Sequence, residues 1–289
     1  MGASMGCGDG GHLMRPVPTL DHVVVNVRDR MDEAAAQYGR LGFQLTPRGF
    51  HTLGSMNHLA IFGTDYLELI AAPAGSARRT DILDWPEGLN GLVFGTENSA
   101  GVYAALTEAG VPAQPPVEFS RPVDIPDGAR DAVFRTVRLP HDTTPAGRLY
   151  FCHHFTRDLV WRDEWRVHPN GALGVMAAVI AANDPLHLGG LFARMFGDAA
   201  VSTVAGGVRL AVGLSSFDVL NPADVAARFG VAAPDTRPER MAALVLRCTS
   251  LDQAQAALLA GGIAGVVRDD ARVLVPAAEA FGTAIEFRV

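Results

Sequence analysis

The sequence contains no lysine, so all 24 of its basic side chains are arginine, and 31 acidic residues give a net charge of −7. A nucleic-acid-binding protein generally needs a basic face for phosphates, so we expect no such partner. No apolar run approaches the roughly 20 residues of a membrane-spanning helix, so we expect no membrane segment. Without lysine there is no Walker A loop, and no His-Glu-x-x-His motif is present, which argues against P-loop enzymes and zincins.

Cysteine is also scarce, with three residues at Cys7, Cys152 and Cys248. Their odd number and the absence of a CxxC pair argue against a disulfide framework or a zinc knuckle. A reducing, cytoplasmic location is therefore expected. Residues 1–17 are rich in Gly and Met and lack the basic and apolar regions of a signal peptide. We interpret them as a flexible tail, in which Cys7 and His12 are conceivable metal ligands.

What the sequence does have is an internal repeat in which a strand and a helix precede three more strands. Apolar patterns predict the first copy at residues 20–27, 31–41, 43–46, 56–62 and 65–70. A second copy starts at residue 89, with its helix at residues 99–108, a proline-rich stretch that has room for a short edge strand, and strands at residues 133–139 and 149–154. A third and a fourth copy start at residues 173 and 241, with helices at residues 186–196 and 251–260.

Two such βαβββ modules side by side make an incomplete eight-stranded barrel around a cleft. The sequence therefore predicts an α+β fold in which four modules pair into two incomplete mixed-sheet barrels. The expected organisation is a tail at residues 1–17, a first domain at residues 18–155, a connector at residues 156–172 and a second, degenerate domain at residues 173–289. With both barrels in one chain, a monomer or a homodimer is expected.

Two polar side chains interrupt apolar strands of the first module. His22 stands at the front of "LDHVVVNV", and Glu68 stands within "YLELI". Tyr66, Glu68 and Ile70 share one strand face, and the opposite face is apolar as well. Glu68 is therefore predicted to be buried and to need a partner.

The segments "LDHVVVNVRD", "RLGFQLTPRG", "NHLAIFGTDYLELI" and "FCHHFTRDLVWRDEWRVHPNGA" resemble the vicinal oxygen chelate superfamily, which includes glyoxalase I and the extradiol dioxygenases. More closely, the chain is similar to the glyoxalase-like domain proteins of bacteria. In that superfamily the first and last strands of a module supply metal ligands, which implies His22 and Glu68 here. The pattern Cys-x-His-x-Thr implies His154 as a third ligand, with His153 as the alternative. Gly91 departs from the pattern, because it takes the position of His22 in the second module.

The resemblance implies a divalent metal (Zn, Ni, Fe or Mn) and a small-molecule substrate that chelates it through oxygen. Glu68, with His22, would be catalytic as well as a ligand, because similar sites use the carboxylate as a proton-transfer base. Further candidate substrate contacts are His58, Asn57, Tyr66, Tyr150, Cys152 and Arg48. The implied activity is that of a metal-dependent lyase or isomerase. A metal-free protein that binds or sequesters a small molecule is the alternative, and an extradiol-type dioxygenase is the third possibility.

Other side chains are expected to have structural or surface roles. Ala177 takes the position of His22 in the third module, so the second half is expected to be a scaffold. Glu286 matches Glu68 in the fourth module but is expected to be solvated. Trp161 and Trp165 are expected to pack the connector against the first barrel, and His51 is expected at the surface.

Overall fold

The structure is a computed structural model that describes residues 14–126, 128–231, 237 and 239–289. Cys7, His12 and most of the expected tail lie outside the described residues. The predicted α+β fold is confirmed, because the order strand, helix and three strands occurs four times. No helix of the described part is both long and apolar enough to span a membrane.

The first two modules form one eight-stranded sheet. Its elements, including one extra short helix (α2), are β1 (Leu20–Asn26), α1 (Met31–Arg40), β2 (Gly49–Phe50), β3 (Met56–Ile61), β4 (Tyr66–Ala71), α2 (Thr80–Leu83), β5 (Gly88–Gly95), α3 (Ser99–Glu108), β6 (Val117–Ile125), β7 (Gly128–Arg138) and β8 (Arg148–His154). Its strand order is β2-β3-β4-β1-β5-β8-β7-β6. The first and last strands of both modules are therefore neighbours in the centre of the sheet.

The third and fourth modules form a second eight-stranded sheet with the same plan. Its elements, including one extra helix (α5), are β9 (Ala172–Ala182), α4 (Pro185–Phe196), β10 (Val201–Val204), β11 (Gly207–Val212), β12 (Ser215–Leu220), α5 (Pro222–Phe229), β13 (Glu239–Cys248), α6 (Leu251–Ala260), β14 (Val267–Arg268), β15 (Val273–Val275) and β16 (Ala284–Arg288). Its strand order, β10-β11-β12-β9-β13-β16-β15-β14, repeats that of the first sheet position by position.

Three local predictions needed correction. The second strand of the first module is Gly49–Phe50 rather than residues 43–46, which approach β3 only through Thr46. The proline-rich stretch forms the nine-residue strand β6, where Pro122 is tolerated because β6 is at the sheet edge. Helix α5 was not anticipated, although Asn221 caps it and Gly230 ends it with a left-handed φ of 67°.

Alternation along β1 separates the core from the site. Val23 and Val25 point into the main hydrophobic core, whereas His22 and Val24 face the other side of the sheet. The main core joins the two halves, because the Phe94 ring lies 4.8 Å from Phe196 and 5.3 Å from Phe217 between ring centroids. The helices and the second sheet therefore pack on the core face of the first sheet. The opposite, concave face of the first sheet remains available for the site.

Candidate active site

His22 and Glu68 meet in a cavity on the concave face of the first sheet. They lie on the parallel neighbours β1 and β4, and His22 Nε2 is 3.7 Å from Glu68 Oε2. The Tyr66 ring stacks on the His22 imidazole at 4.4 Å and 9° between planes, which fixes the imidazole orientation. The centres of water-sized molecules can occupy about 40 Å³ of this cavity, so it is not filled by side chains.

Asp21 supports His22 from behind. Its Oδ1 atom accepts a hydrogen bond from His22 Nδ1 at 2.6 Å and another from His154 Nε2 at 2.9 Å. The pairing register of β1 shifts between Leu20 and His22, and this irregularity lets adjacent side chains reach the same cluster. Burial raises the pKa of Asp21, but the charges and hydrogen bonds of His154 and His22 outweigh it and hold the pKa well below its usual range.

The ionised state of Asp21 determines the tautomer of His22. A carboxylate only accepts hydrogen bonds, so the proton of a neutral His22 is on Nδ1. The Nε2 atom then presents a lone pair, which accepts a hydrogen bond from the Tyr150 hydroxyl at 3.2 Å and faces Glu68. Carboxylate–histidine pairs of this kind orient imidazoles for metal binding or proton transfer.

Glu68 is held by one oxygen and leaves the other free. Asn57 donates to Glu68 Oε1 at 2.7 Å, while no hydrogen bond within the described residues is made to Oε2. Burial raises the pKa of Glu68, but the charges of His22 and His51 and the Asn57 hydrogen bond outweigh this and lower it. An ionised carboxylate oxygen therefore lies 3.7 Å from His22 Nε2, and a cation or the proton of an imidazolium fits between the two atoms.

The surface expectation for His51 was wrong, because its ring lines the cavity. Its Nε2 atom lies 3.3 Å from Asn57 Nδ2, and its Nδ1 atom lies 2.9 Å from Ser55 Oγ. Burial lowers the pKa of His51 to about 4, so the ring is neutral at pH 7. His51 thus helps Asn57 to orient Glu68.

Tyr150 and Cys152 follow each other on the inner face of β8, and both line the cavity. Burial raises the pKa of Tyr150, which keeps its hydroxyl protonated as a hydrogen-bond donor. Burial also raises the pKa of Cys152, so its sulfur is a thiol rather than a nucleophilic thiolate.

The two neighbouring histidines at the end of β8 point to opposite faces. His154 is buried beside Phe134 and Trp161, each with ring centroids at 5.0 Å, so Trp161 does cover this end of the barrel. Its Nδ1 atom has no hydrogen-bond partner among the described residues. His153 is half-buried, with Nε2 3.9 Å from Glu97.

His58 and Arg48 are not among the described residues that line this cavity. His58 alternates with Asn57 along β3 and faces the other side, where its Nδ1 atom bonds the Thr46 carbonyl at 2.7 Å. Arg48 donates to His58 Nε2 at 3.3 Å and pairs with Asp32 on α1. These two side chains therefore contact each other outside the cavity.

The donor atoms fit a divalent ion in two ways. An ion at roughly 2.1 Å from a histidine nitrogen and a carboxylate oxygen separates those atoms by about 3–4 Å, which the His22–Glu68 pair satisfies. Alternatively, Asp21, His22 and His154 offer ligand atoms that all lie within 4.8 Å of one another. His154 Nε2 is hydrogen-bonded to Asp21. The three predicted ligands His22, Glu68 and His154 are therefore connected through Asp21 and do not converge on a single metal position.

Gly91 leaves no space for the ligand that the superfamily pattern places there. A Cβ atom on Gly91 would lie 2.9 Å from both Cβ and Cγ2 of Val24, which real Cβ contacts essentially never show. Val24 is opposite Gly91 in the antiparallel β1–β5 pair. The smallest residue is thus required by the packing of the neighbouring strand.

The second half has carboxylates at related positions but no matching histidine. In the register of β9 with β12, Ala177 corresponds to His22, and Asp218 corresponds to Glu68. The Nε and Nη2 atoms of Arg209 each donate a hydrogen bond of 2.7 Å to the Asp218 carboxylate. The expectation that Glu286 is solvated was wrong, because it is fully buried and paired with three arginines: Arg228, Arg272 and Arg288.

Comparison with known proteins agrees with this architecture. Residues 20–196 match the family described as glyoxalase-like domain. No curated protein matches the chain. A hypothetical protein from Staphylococcus aureus is similar in structure, with a TM-score of 0.66 and 11% identity over 94% of this chain and 99% of that chain.

Two further similar structures carry names. A xylose isomerase-like TIM barrel/4-hydroxyphenylpyruvate dioxygenase fusion protein has a TM-score of 0.58 and 14% identity over 97% of this chain and 51% of that chain. A mutant 4-hydroxymandelate synthase from Streptomyces coelicolor has a TM-score of 0.57 and 14% identity over 94% and 92%. At such identities the likeness shows the fold, which is that of the vicinal oxygen chelate superfamily.

Proposed function

This chain belongs to the glyoxalase-like domain family, and on that basis we propose that its first half is a metal-dependent lyase or isomerase acting on a small, oxygen-chelating substrate. The observation that carries the proposal is the His22–Glu68 pair. His22 Nε2 and Glu68 Oε2 face each other at 3.7 Å in a buried cavity, and Asp21 holds the other ring nitrogen. A cation shared by Nε2 and Oε2 stabilises this arrangement, and a divalent metal bound by both is the cation that we propose.

In this proposal His22 Nε2 and Glu68 Oε2 hold the metal, and Asp21 fixes the His22 ring through Nδ1. A bound divalent ion would supply Lewis acidity that stabilises negative charge on a substrate oxygen. Glu68 would also take a proton from the substrate through Oε2, in exchange for its contact with the metal, because Asn57 holds Oε1. The Tyr150 hydroxyl, 3.2 Å from His22 Nε2, would then be free to donate a hydrogen bond to a substrate oxygen, because the single Nε2 lone pair would hold the metal. Tyr66 excludes water on one side of the imidazole by stacking on it.

Metal content tests the proposal. Protein purified without added metal should contain about one equivalent of a transition metal by inductively coupled plasma mass spectrometry. His22→Ala and Glu68→Gln should lose it, and Asp21→Asn should weaken its binding about 10- to 100-fold. His187→Ala, which removes an exposed histidine of α4, is the matched control and should keep the metal.

One further variant, His154→Ala, distinguishes the two possible ion positions when it is compared with Glu68→Gln. If His154→Ala loses the metal and Glu68→Gln keeps it, the ion is bound by Asp21, His22 and His154 instead. That set of two histidines and one carboxylate is compatible with non-haem iron, so tightly bound iron would favour the dioxygenase alternative.

A metal-free binding protein remains the second candidate because one observation favours it. Asp21, His22 and His154 already satisfy one another through hydrogen bonds of 2.6 and 2.9 Å. Wild-type protein that takes up no transition metal, even on dialysis against one, would contradict the enzyme proposal and support this candidate.

A further inference from the structure

Four arginines that the sequence did not single out line the same cavity as His22 and Glu68. They are Arg79, Arg121, Arg138 and Arg148. Glu68 is the one carboxylate residue among the described side chains of the lining. Asp81 neutralises part of this charge from outside the cavity, where it binds Arg79 at 2.8 Å. The cavity nevertheless keeps a clear excess of positive charge, and nothing in a lyase or isomerase centre built on His22 and Glu68 requires it.

Two of these arginines are buried with unused hydrogen-bond donors. Arg148 is 8% exposed, donates through Nε to Asn90 Oδ1 at 2.8 Å, and has an NH2 group without a hydrogen-bond partner in the described part of the chain. Arg121 is 6% exposed, and its Nε atom likewise has no partner there. A buried donor without a partner destabilises the fold, and more so when it belongs to a charged group. Two such donors on one cavity are what a site for an anionic ligand needs.

The position of Arg148 relates the anion to the reacting atoms. Arg148 and Tyr150 are two residues apart on β8, so their side chains leave the same face about 7 Å apart. The Tyr150 hydroxyl is 3.2 Å from His22 Nε2. An anionic group at Arg148 would therefore place atoms a few bonds away beside His22 and Glu68.

Positive charge continues towards the outside of the cavity. A neighbouring depression of about 260 Å³ shares Arg79, Arg138 and Arg148 with the cavity and adds Arg78. Asp81 also lines this depression and lies 3.8 Å from Arg148, so the lining has a net positive charge rather than charges of one sign. A net positive charge attracts anions and raises their local concentration. The depression is thus a suitable approach for a small acid.

We infer that Arg121 and Arg148 bind a carboxylate or phosphate group of the substrate, so that the site takes a small acid rather than a neutral carbonyl compound. The planar guanidinium matches both groups with paired N–H donors. The inference rests on the proposed function only in calling the bound anion a substrate. Binding of the anion itself requires neither the metal nor a reaction.

The test uses the full chain stripped of metal, at constant ionic strength in sodium chloride. Midpoints of thermal unfolding are recorded against acetate, inorganic phosphate and acetamide, the last being a neutral analogue of acetate. We expect at least one of the two anions to raise the midpoint at concentrations at which acetamide does not. Arg148→Gln and Arg121→Gln should each weaken the apparent affinity at least about tenfold, or roughly 1.4 kcal/mol. Arg135→Gln, which removes a half-exposed arginine paired with Glu118, is the control and should bind as the wild type does.

A stronger response to acetate identifies a carboxylate, and a stronger response to phosphate identifies a phosphate group. Equal responses to acetate and acetamide, no response to either anion, or equal weakening by Arg135→Gln would overturn the inference. Should a cavity variant fail to fold, crystals of the wild type grown with the anion decide, since an anion found away from Arg121 and Arg148 is equally contrary. His22→Ala separates the two proposals, because it should lose the metal and keep the anion.

Discussion

The two halves of the molecule have the same strand order but pair the buried carboxylates at corresponding strand positions in opposite ways. In the second half, Asp218 and Glu286 are each bound by arginine. In the first half, Glu68 has no arginine within ion-pair distance in the described part of the chain and faces His22 instead. Arginine turns a buried carboxylate into a structural element, because it satisfies the charge permanently. A carboxylate beside a histidine lone pair keeps an oxygen available for chemistry.

This contrast carries a cost in stability that can be measured. The ion pairs of Asp218 and Glu286 in the second half stabilise the folded state. The polar groups around Glu68 in the first half contribute less to stability, because the surrounding strands hold them in place. Variants of the second half should therefore lower the free energy of unfolding without affecting the site. Variants of Glu68 should change ligand binding with little loss of stability.

The largest effect is expected for Glu286→Gln. The change removes a fully buried carboxylate that three arginines share, of which Arg272 keeps its pair with Asp269, and it should cost about 3–5 kcal/mol in the free energy of unfolding. Urea unfolding measures it, and Asp252→Asn is the control because Asp252 is exposed and pairs only with Arg268. A loss below about 1 kcal/mol would mean that the arginines are solvated rather than anchored to Glu286.

The second expected effect concerns the contact between the halves and depends on pH. Asp65, at the turn before β4, accepts a hydrogen bond from the Val175 amide of β9 at 3.0 Å. Burial raises the pKa of Asp65 from 3.8 to about 6. Its protonated form is therefore favoured by folding, and this contribution is complete below pH 3.8 and is lost as the pH rises through about 6.

Asp65→Asn keeps an oxygen acceptor for Val175 and removes the charge. It should stabilise the protein by up to about 3 kcal/mol at pH 8, since one pKa unit corresponds to about 1.4 kcal/mol. The gain should shrink towards zero near pH 3.5. Urea unfolding at both pH values measures it, and a gain that does not depend on pH would contradict the assigned cause.

The smallest effect is expected in a direct comparison of Glu68→Gln with Asp218→Asn in metal-free protein. Asp218→Asn weakens a two-bond pair with Arg209 and should cost about 1–3 kcal/mol. Glu68→Gln keeps a hydrogen-bond acceptor for Asn57 and should change the free energy of unfolding by less than about 1 kcal/mol. Equal losses in the two variants would show that the halves hold their carboxylates equally firmly, and the comparison above would fail.

The fold could be predicted from the sequence because its information is local. Alternation of apolar residues gave the strands, and glycine stops gave the helix ends, so α3 and α6 were predicted at Ser99–Glu108 and Leu251–Ala260 as they occur. The misplaced second strand is a different case. Thr46 binds β3 through its backbone amide and its hydroxyl, but these hydrogen bonds do not form a strand ladder. An apolar pattern does not distinguish such isolated contacts from strand pairing.

The site was only partly predictable because burial depends on distant segments. The surface expectation for His51 failed because Phe119 and Phe134, on the β6–β7 hairpin, cover its ring. Glu286 was misjudged for the same reason, since its arginines come from three segments of the chain. Asp21 could have been noticed beside His22, but strand alternation places neighbours on opposite faces, and only the shifted register brings them together.

Gly91 limits how this site can change. Its close approach to Val24 means that no single substitution can add a metal-binding side chain there without a steric clash between two central strands. Adding a polar side chain at this position would require shortening Val24 and replacing Gly91 at the same time. The close packing of β1 against β5 therefore keeps this part of the cavity without a polar side chain.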